Sequence, residues 1–304
     1  MNQKQERLFK EYTVWRAIFT MAVPAVVNIL VMVLYNMADM FFVARLHDDA
    51  QVAAISIVAP AFTMMMALGS MLGGGGCALI ARTMGEGDSD RVSLYSSLCC
   101  WGSVLSGGIF ALAVLLGRDT ILGFLGANEE MWGYAGTYLT ILALGAPVMI
   151  FTTAFGNIVR AEGAVKEGMM GNLISTVTNV ALDPLFILAL PFGVAGAAAA
   201  TVLGNAAGAA YLLWYVRKKS ASLSLSPKLA ASAPLELRHI IALGLPNGTS
   251  SFLTSFASAL ANNLMVQYGT LAVAPKDAAN HCTHHNSNVQ MGKSMGVQPV
   301  VEYN

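Results

Sequence analysis

An all-α fold that crosses a membrane several times is what this sequence predicts, on three observations. The chain of 304 residues is 56% hydrophobic and only 11% charged, against about 25% charged residues in an ordinary soluble domain. Its mean hydropathy is +0.60. Its charges fall in clusters, leaving uncharged runs at 17–38, 50–81, 92–117, 131–159, 168–182, 184–216 and 239–275. A formal net charge of +0 hides this clustering. Such a composition argues against a soluble enzyme, a nucleic-acid binder and a disordered chain.

A helix needs about 20 predominantly apolar residues to cross a bilayer. The runs supply seven spans, near 15–38, 51–78, 92–117, 131–157, 168–190, 194–216 and 240–268, with the turn-forming Pro191-Phe192-Gly193 separating the fifth from the sixth. None shows the period-two alternation of a barrel strand, so helices satisfy the backbone. Orientation follows from the basic residues. With the N-terminus inside, the inner segments hold Lys4, Arg7, Lys10 and Arg16, then Arg82 and Arg91, Arg160 and Lys166, and finally Arg217, Lys218, Lys219, Lys228 and Arg238. The outer loops hold only Arg45 and Arg118. This bias predicts a multi-pass protein of the cell (inner) membrane with a cytoplasmic N-terminus. The first span is too long for a signal peptide and lacks a cleavage motif.

Cys77, Cys99 and Cys100 fall within or beside predicted spans, where they read as small core residues rather than a disulfide framework. His281-Cys282-Thr283-His284-His285 has no standard zinc spacing, so no metal site is assigned to it.

Of the acidic residues, only Asp39 and Asp183 sit inside spans. A carboxylate at a helix centre costs roughly 2.5–3.5 kcal/mol or more, so intramembrane acids are candidate functional groups. Asn28, Tyr35 and Asp39 lie 7 and 4 residues apart on the first span, which puts them on one helix face. Asn172, Asn179 and Asp183 repeat that spacing on the fifth, with Thr176 between them, and the sixth adds Thr201 and Asn205 one turn apart. At 1.5 Å per residue, Asp39, Asp183 and Thr201 lie roughly 9, 12 and 10 Å below the outer edge. A lone Asn or Thr in a membrane helix ordinarily just bonds to a neighbouring helix. Two carboxylates at one level make a site that can exchange protons or hold a small cation such as Na+. Asn28, Tyr35, Asn36, Asn172, Thr176 and Asn205 are the candidates to line its cavity. Pro24 and Pro184 each remove a helical donor, and with Pro246 they are the candidate hinges. Gly69 and Gly73–Gly76 of the second span read as close helix contact or a flexible point, with contact the favoured reading.

An internal repeat relates the first and seventh spans: Ile18-Phe19-Thr20-Met21-Ala22-Val23-Pro24 parallels Ile240-Ile241-Ala242-Leu243-Gly244-Leu245-Pro246 at an offset of 222. The seventh span is six places after the first, with five spans between them, so the two helices run in the same direction and the repeat is parallel. Between them, 217–238 is rich in Ser, Pro and Ala and fits a boundary between two bundles.

Several motifs now align in order: Leu34-Tyr35-Asn36-Met37-Ala38-Asp39, Ala81-Arg82-Thr83-Met84-Gly85-Glu86-Gly87-Asp88, Arg160-Ala161-Glu162-Gly163 and Asn179-Val180-Ala181-Leu182-Asp183-Pro184. Through them the chain resembles the MATE (multidrug and toxic compound extrusion) family over about residues 13–274. The resemblance implies two six-helix lobes and export of organic cations or drugs in exchange for H+ or Na+. Positions matching Asp39, Asn179, Asp183 and Thr201 would form the coupling-ion site of the N-terminal lobe. No cofactor beyond that ion is implied, and the partners are small organic cations or drugs and membrane lipids, with no nucleic acid.

The expected organisation is a cytoplasmic N-terminus (1–14), a six-helix lobe (15–216), a cytoplasmic linker (217–238) and the first helix of a second lobe (239–274). The segment 275–304 is expected to be an aberrant or truncated tail, because 275–290 is polar where an eighth helix should begin while 291–299 resembles the later part of that helix. Two alternatives stay open. A lipid-linked precursor flippase of the same superfamily would line its cavity with basic residues, and no span clearly contains one. An inactive fragment would follow from the missing second lobe. An intramembrane enzyme would need a nucleophile–base pair or His-Glu-x-x-His, and the sequence has neither.

Overall fold

The computed structural model describes Phe42, residues 48–190 and residues 192–266. Pro24, Asn28, Tyr35, Asn36 and Asp39 of the first predicted span, and the tail at 275–304, lie outside the described residues. The helices are α1 (Asp49–Glu86), α2 (Ser89–Leu116), α3 (Arg118–Leu125), α4 (Glu129–Ala161), α5 (Val165–Asp183), α6 (Gly193–Lys218), α7 (Pro227–Ser232) and α8 (Leu237–Val266). A π-helical turn, Pro184–Ala189, follows α5, and no strand occurs among the described residues. The expected all-α membrane architecture is the one found. Helices α1, α2, α4 and α6 are long and apolar enough to cross a bilayer by length and composition. Helix α5 is less apolar because it carries Asn172, Ser175, Thr176, Thr178, Asn179 and Asp183 on 19 residues.

Local chemistry sets the helix ends. The Asp48 carboxylate caps α1 by accepting from the Ala50 N–H at 3.0 Å, and Asn128 caps α4 by accepting from the Met131 N–H. Helix α1 ends where Gly87 turns left-handed at φ 78°, and Asp88 then accepts from the Arg91 N–H to start α2. The motif at 81–88 therefore encodes a helix stop and a helix start within a few residues.

Helix α4 lies at the centre, with α1, α2, α5 and α6 all packed against it. Its Leu139, Leu142, Met149, Ile150, Phe155 and Ile158 are fully buried. Glycines let its neighbours close in: Gly107 of α2 rests on Pro147, and Gly145 of α4 on Val202 of α6. Leu105, Ile109, Leu112 and Leu116 form an exposed stripe on α2, the face that meets lipid in a membrane. Lipid is as apolar as these side chains, so close contact and hydrogen bonds drive helix association.

The glycines of α1 are contact points. Gly73 meets Ala154 and Asn157 of α4, Gly76 meets Cys99 and Ile158, and Gly74 faces Asn247 of α8. Gly75 lies against the Ile240 carbonyl, while Gly244 lies against the Met71 carbonyl. Helices α1 and α8 thus cross backbone to backbone.

Two features depart from the sequence expectation. The loop after α2 contains α3, whose Leu122 is fully buried; Asp119 in its first turn and Gly126 at φ 87° after its last were the signals. The interlobe linker, expected only as a boundary, is seated on the bundle. Ser93 Oγ donates to the Ser222 carbonyl at 2.9 Å, and Trp101 Nε1 donates to the Leu225 carbonyl at 3.2 Å. Glu162, just past the end of α4, accepts from the hydroxyls of Ser220 and Ser222 at 2.7 Å each and from Tyr215 at 3.3 Å.

The opposite end has its own tie. Gln51 Nε2 donates to Asp48 at 3.0 Å while its Oε1 accepts from the Val194 N–H at 3.2 Å. The Gln51 bond holds the Asp48 carboxyl below the usual carboxylate range, so this tie is complete at neutral pH and is lost only as pH falls through that lowered value.

Two outcomes are expected. Gly75→Val should force α8 off α1 and lower stability by about 1–3 kcal/mol, the usual cost of overpacking, read as a lower unfolding midpoint in detergent. Glu162→Ala should remove about 1.5–3 kcal/mol of charge-assisted bonding and speed tryptic cleavage after Lys218 and Lys219. An unchanged cleavage rate would show that the linker is held by other means.

Candidate functional site

The polar stripe of α5 meets α6 because small residues let the two backbones approach. A methyl group at Gly204 would lie 2.8 Å from Asn179 Cβ and 2.7 Å from the Ser175 carbonyl oxygen. One at Gly208 would lie 2.7 Å from the Gly171 carbonyl oxygen. Any larger residue at either position would separate the helices.

At this contact Asn179, Asp183 and Thr201 come together, 3%, 0% and 7% exposed. Asn179 Nδ2 donates to Asp183 Oδ1 at 3.5 Å and to Thr201 Oγ1 at 3.4 Å, both at the long end of hydrogen bonding. Thr201 donates its own proton to the Ala197 carbonyl at 3.0 Å, so its lone pairs face the cluster. Asn179 Oδ1 is buried and has no hydrogen-bond partner among the described residues.

Asp183 is the last α-helical residue of α5. Pro184 next to it has no N–H to donate, and the chain continues as a π turn in which Leu190 N–H reaches Leu185 O at 2.8 Å. Such turns are rare and concentrate at functional sites. The sequence showed the proline but not this change of helical pitch.

The other predicted residues are placed as follows. Asn205 lies one turn beyond Thr201 and donates from Nδ2 to the Thr201 carbonyl at 2.9 Å. Asn172 lies nearer the N-terminal end of α5, where its side chain faces Gly156 of α4. Neither it nor Thr176 hydrogen-bonds to the cluster among the described residues. Pro184 opens the π turn, whereas Pro246 is exposed within an uninterrupted α8. Asp39, the proposed partner carboxylate, and its neighbours Asn28, Tyr35, Asn36 and Pro24 lie outside the described residues. Sequence reading missed Thr152 of α4, which is 2% exposed and reaches the Asn205 carbonyl at 3.0 Å. A threonine among the apolar residues of α4 gave no periodic signal.

Chemically, the cluster offers one carboxylate, one amide oxygen unpaired among the described residues and one hydroxyl oxygen. All are hard oxygen donors, the set that suits a hard cation rather than a transition metal. The carboxylate can equally take a proton. Among the described residues no group of three His, Cys, Asp or Glu is assembled.

A helical bundle with an acid-centred polar site buried at a helix contact is the design of a membrane transporter. The MatE family model matches residues 24–185. The multidrug export protein MepA of Staphylococcus aureus (strain NCTC 8325 / PS 47) is 30% identical over all 304 residues, which cover 67% of its own length. MepA of Staphylococcus saprophyticus is 28% identical over the same span. Among solved structures, an outward-facing multidrug resistance MATE family transporter of the MOP superfamily superposes with a TM-score of 0.87 at 26% identity, over 99% of this chain and 66% of that one. A MOP superfamily transporter from Pyrococcus furiosus superposes with a TM-score of 0.88, also at 26% identity, over 99% and 66% of the two chains. The chain belongs to the MATE family of transporters, and it spans about two thirds of the length of these relatives.

One outcome tests the site's construction. Gly204→Val should part Asn179 from Thr201 and abolish stabilisation by Na+ or by protons, while Gly108→Val, at a position open on all sides, should preserve it. The measurement is the thermal midpoint of purified protein across Na+ concentration and pH. Equal ion responses in both variants would show that the α5–α6 approach does not build an ion site.

Proposed function

We propose that this chain carries the coupling half of a secondary antiporter that exports organic cations or drugs in exchange for H+ or Na+. The observation that carries the proposal is the buried Asp183–Asn179–Thr201 cluster, in which Asn179 Oδ1 accepts no hydrogen bond from the described residues. In this reading Asp183 binds the ion, Asn179 and Thr201 complete its oxygen shell, and Asp39 supplies the second carboxylate. No cofactor besides the ion takes part.

The ion then favours one arrangement of the lobe and substrate the other. Coupling requires that each bind the two states with different affinity. A wholly oxygen-donor, acid-centred site suits cationic traffic better than the phosphate of a lipid-linked precursor, which supports the antiporter over the flippase.

The organisation 1–14, 15–216, 217–238 and 239–274 goes with this function, the last segment opening a second lobe, and lipids are the expected surroundings. The inner-membrane location and cytoplasmic N-terminus draw support from one end of the bundle. There the Glu162 and Ser93 hydrogen bonds gather the end of α4, the start of α2 and the end of α6, next to Arg91, Arg160, Arg217 and Lys218.

The test is efflux of a fluorescent organic cation from cells making the chain and, separately, a version extended to the relatives' length, with proton and sodium gradients imposed one at a time. Asp183→Asn should abolish gradient-driven efflux at unchanged membrane abundance. Retention of efflux in that variant would reject the assigned role. Efflux from the extended version alone would assign activity to two complete lobes.

A further inference from the structure

Threonines in membrane helices commonly bond back to their own helix, and α4 shows the pattern. Thr137, Thr140 and Thr153 donate to Gly133, Gly136 and Met149 carbonyls at 2.9, 2.7 and 3.0 Å. Thr152 has its one hydroxyl proton between two carbonyls, Val148 of its own helix at 2.8 Å and, alone among these threonines, the backbone of another helix, Asn205 of α6, at 3.0 Å. It is 2% exposed, so lipid and water leave this contact alone. Gly208, one turn beyond Asn205, makes the approach possible, since a methyl group there would lie 3.3 Å from Thr152 Cγ2 and 3.0 Å from Ser175 Cβ.

From Asn205 the connection runs on. Asn205 Nδ2 holds the Thr201 carbonyl, Thr201 Oγ1 accepts from Asn179, and Asn179 reaches Asp183. Three helices are therefore joined in one polar line, with α4 at one end and the carboxylate at the other. We propose that Thr152 is a positioning residue of the ion site, fixing the register of α6 against α4 and so the distance of Thr201 from Asn179 and Asp183. This rests on the reading of that cluster as the ion site. Its hydroxyl touches no ion. It sets how far α6 travels when an ion draws Thr201, Asn179 and Asp183 together, and it passes that movement to the central helix.

The test uses the full chain in lipid vesicles, with Na+ and protons as probes. The Asp183 carboxyl stretch is followed by infrared difference spectroscopy and assigned by its loss in Asp183→Asn. Thr152→Val keeps the shape and removes the donor, and should raise the ion concentration at the midpoint roughly two- to tenfold, the span of one hydrogen bond. Thr152→Ser should restore the original midpoint. Equal midpoints in Thr152→Val and the unchanged chain would overturn the proposal. As a readout independent of any variant, hydrogen exchange at 148–152 of α4 should slow with that of 179–183 and 201–205 when Na+ is added or the pH lowered. Slowing confined to α5 and α6 would also overturn it. If the unchanged chain shows no ion-dependent Asp183 signal, the ion site itself is wrong and Thr152 falls with it.

Discussion

Asp183 is fully buried in a bundle whose other contacts are mostly apolar packing and glycine crossings, and a carboxylate survives there only with polar groups gathered round it. The close approach of α5 to α6 is the constraint that gathers them. Without Gly204 and Gly208 the Asn179 amide would not reach Thr201. The π turn starting at Pro184 adds a second effect. It ends the regular ladder of α5 directly after the acid, so that the acid stands at a joint between two helical pitches. The buried carboxylate thus sits where the α-helical ladder gives way to the π turn.

The ends of the bundle are built differently from its middle. At one end Glu162 takes three hydroxyl donors, two of them from the linker, and the linker backbone is bonded to α2 through Ser93, Ser96 and Trp101. At the opposite end Gln51 joins the starts of α1 and α6 through Asp48 and Val194. These ties run from 2.7 to 3.3 Å. In the Asp183 cluster between them the Asn179 amide reaches Thr201 and Asp183 at 3.4 and 3.5 Å, the long end of hydrogen bonding.

Helix α8 takes part in the same logic from the other side. It crosses α1 at Gly75 and Gly244 with backbones in contact, the close approach that small residues allow between helices in lipid. The seated linker leads straight into α8, so the position of the linker and that of the crossing are set together.

The sequence by itself determined the membrane class and the all-α fold, placed apolar runs where α1, α2, α4 and α6 lie, and singled out Asn179, Asp183 and Thr201, which the fold brings together. Charge scarcity and the 7-and-4 spacing are one-dimensional signals that survive without coordinates. It also marked Gly73–Gly76 as contact points, because only close packing explains so many glycines in a long helix. Tertiary structure alone decided the rest. The π turn depends on how the chain rejoins α6, the docking of the linker on Glu162 pairs residues some 60 positions apart, and the place of Thr152 depends on which helix faces it. A threonine pointing into a core and one pointing at lipid look the same in a sequence, since each can satisfy its hydroxyl on its own helix. Only the neighbouring backbone gives it a second task.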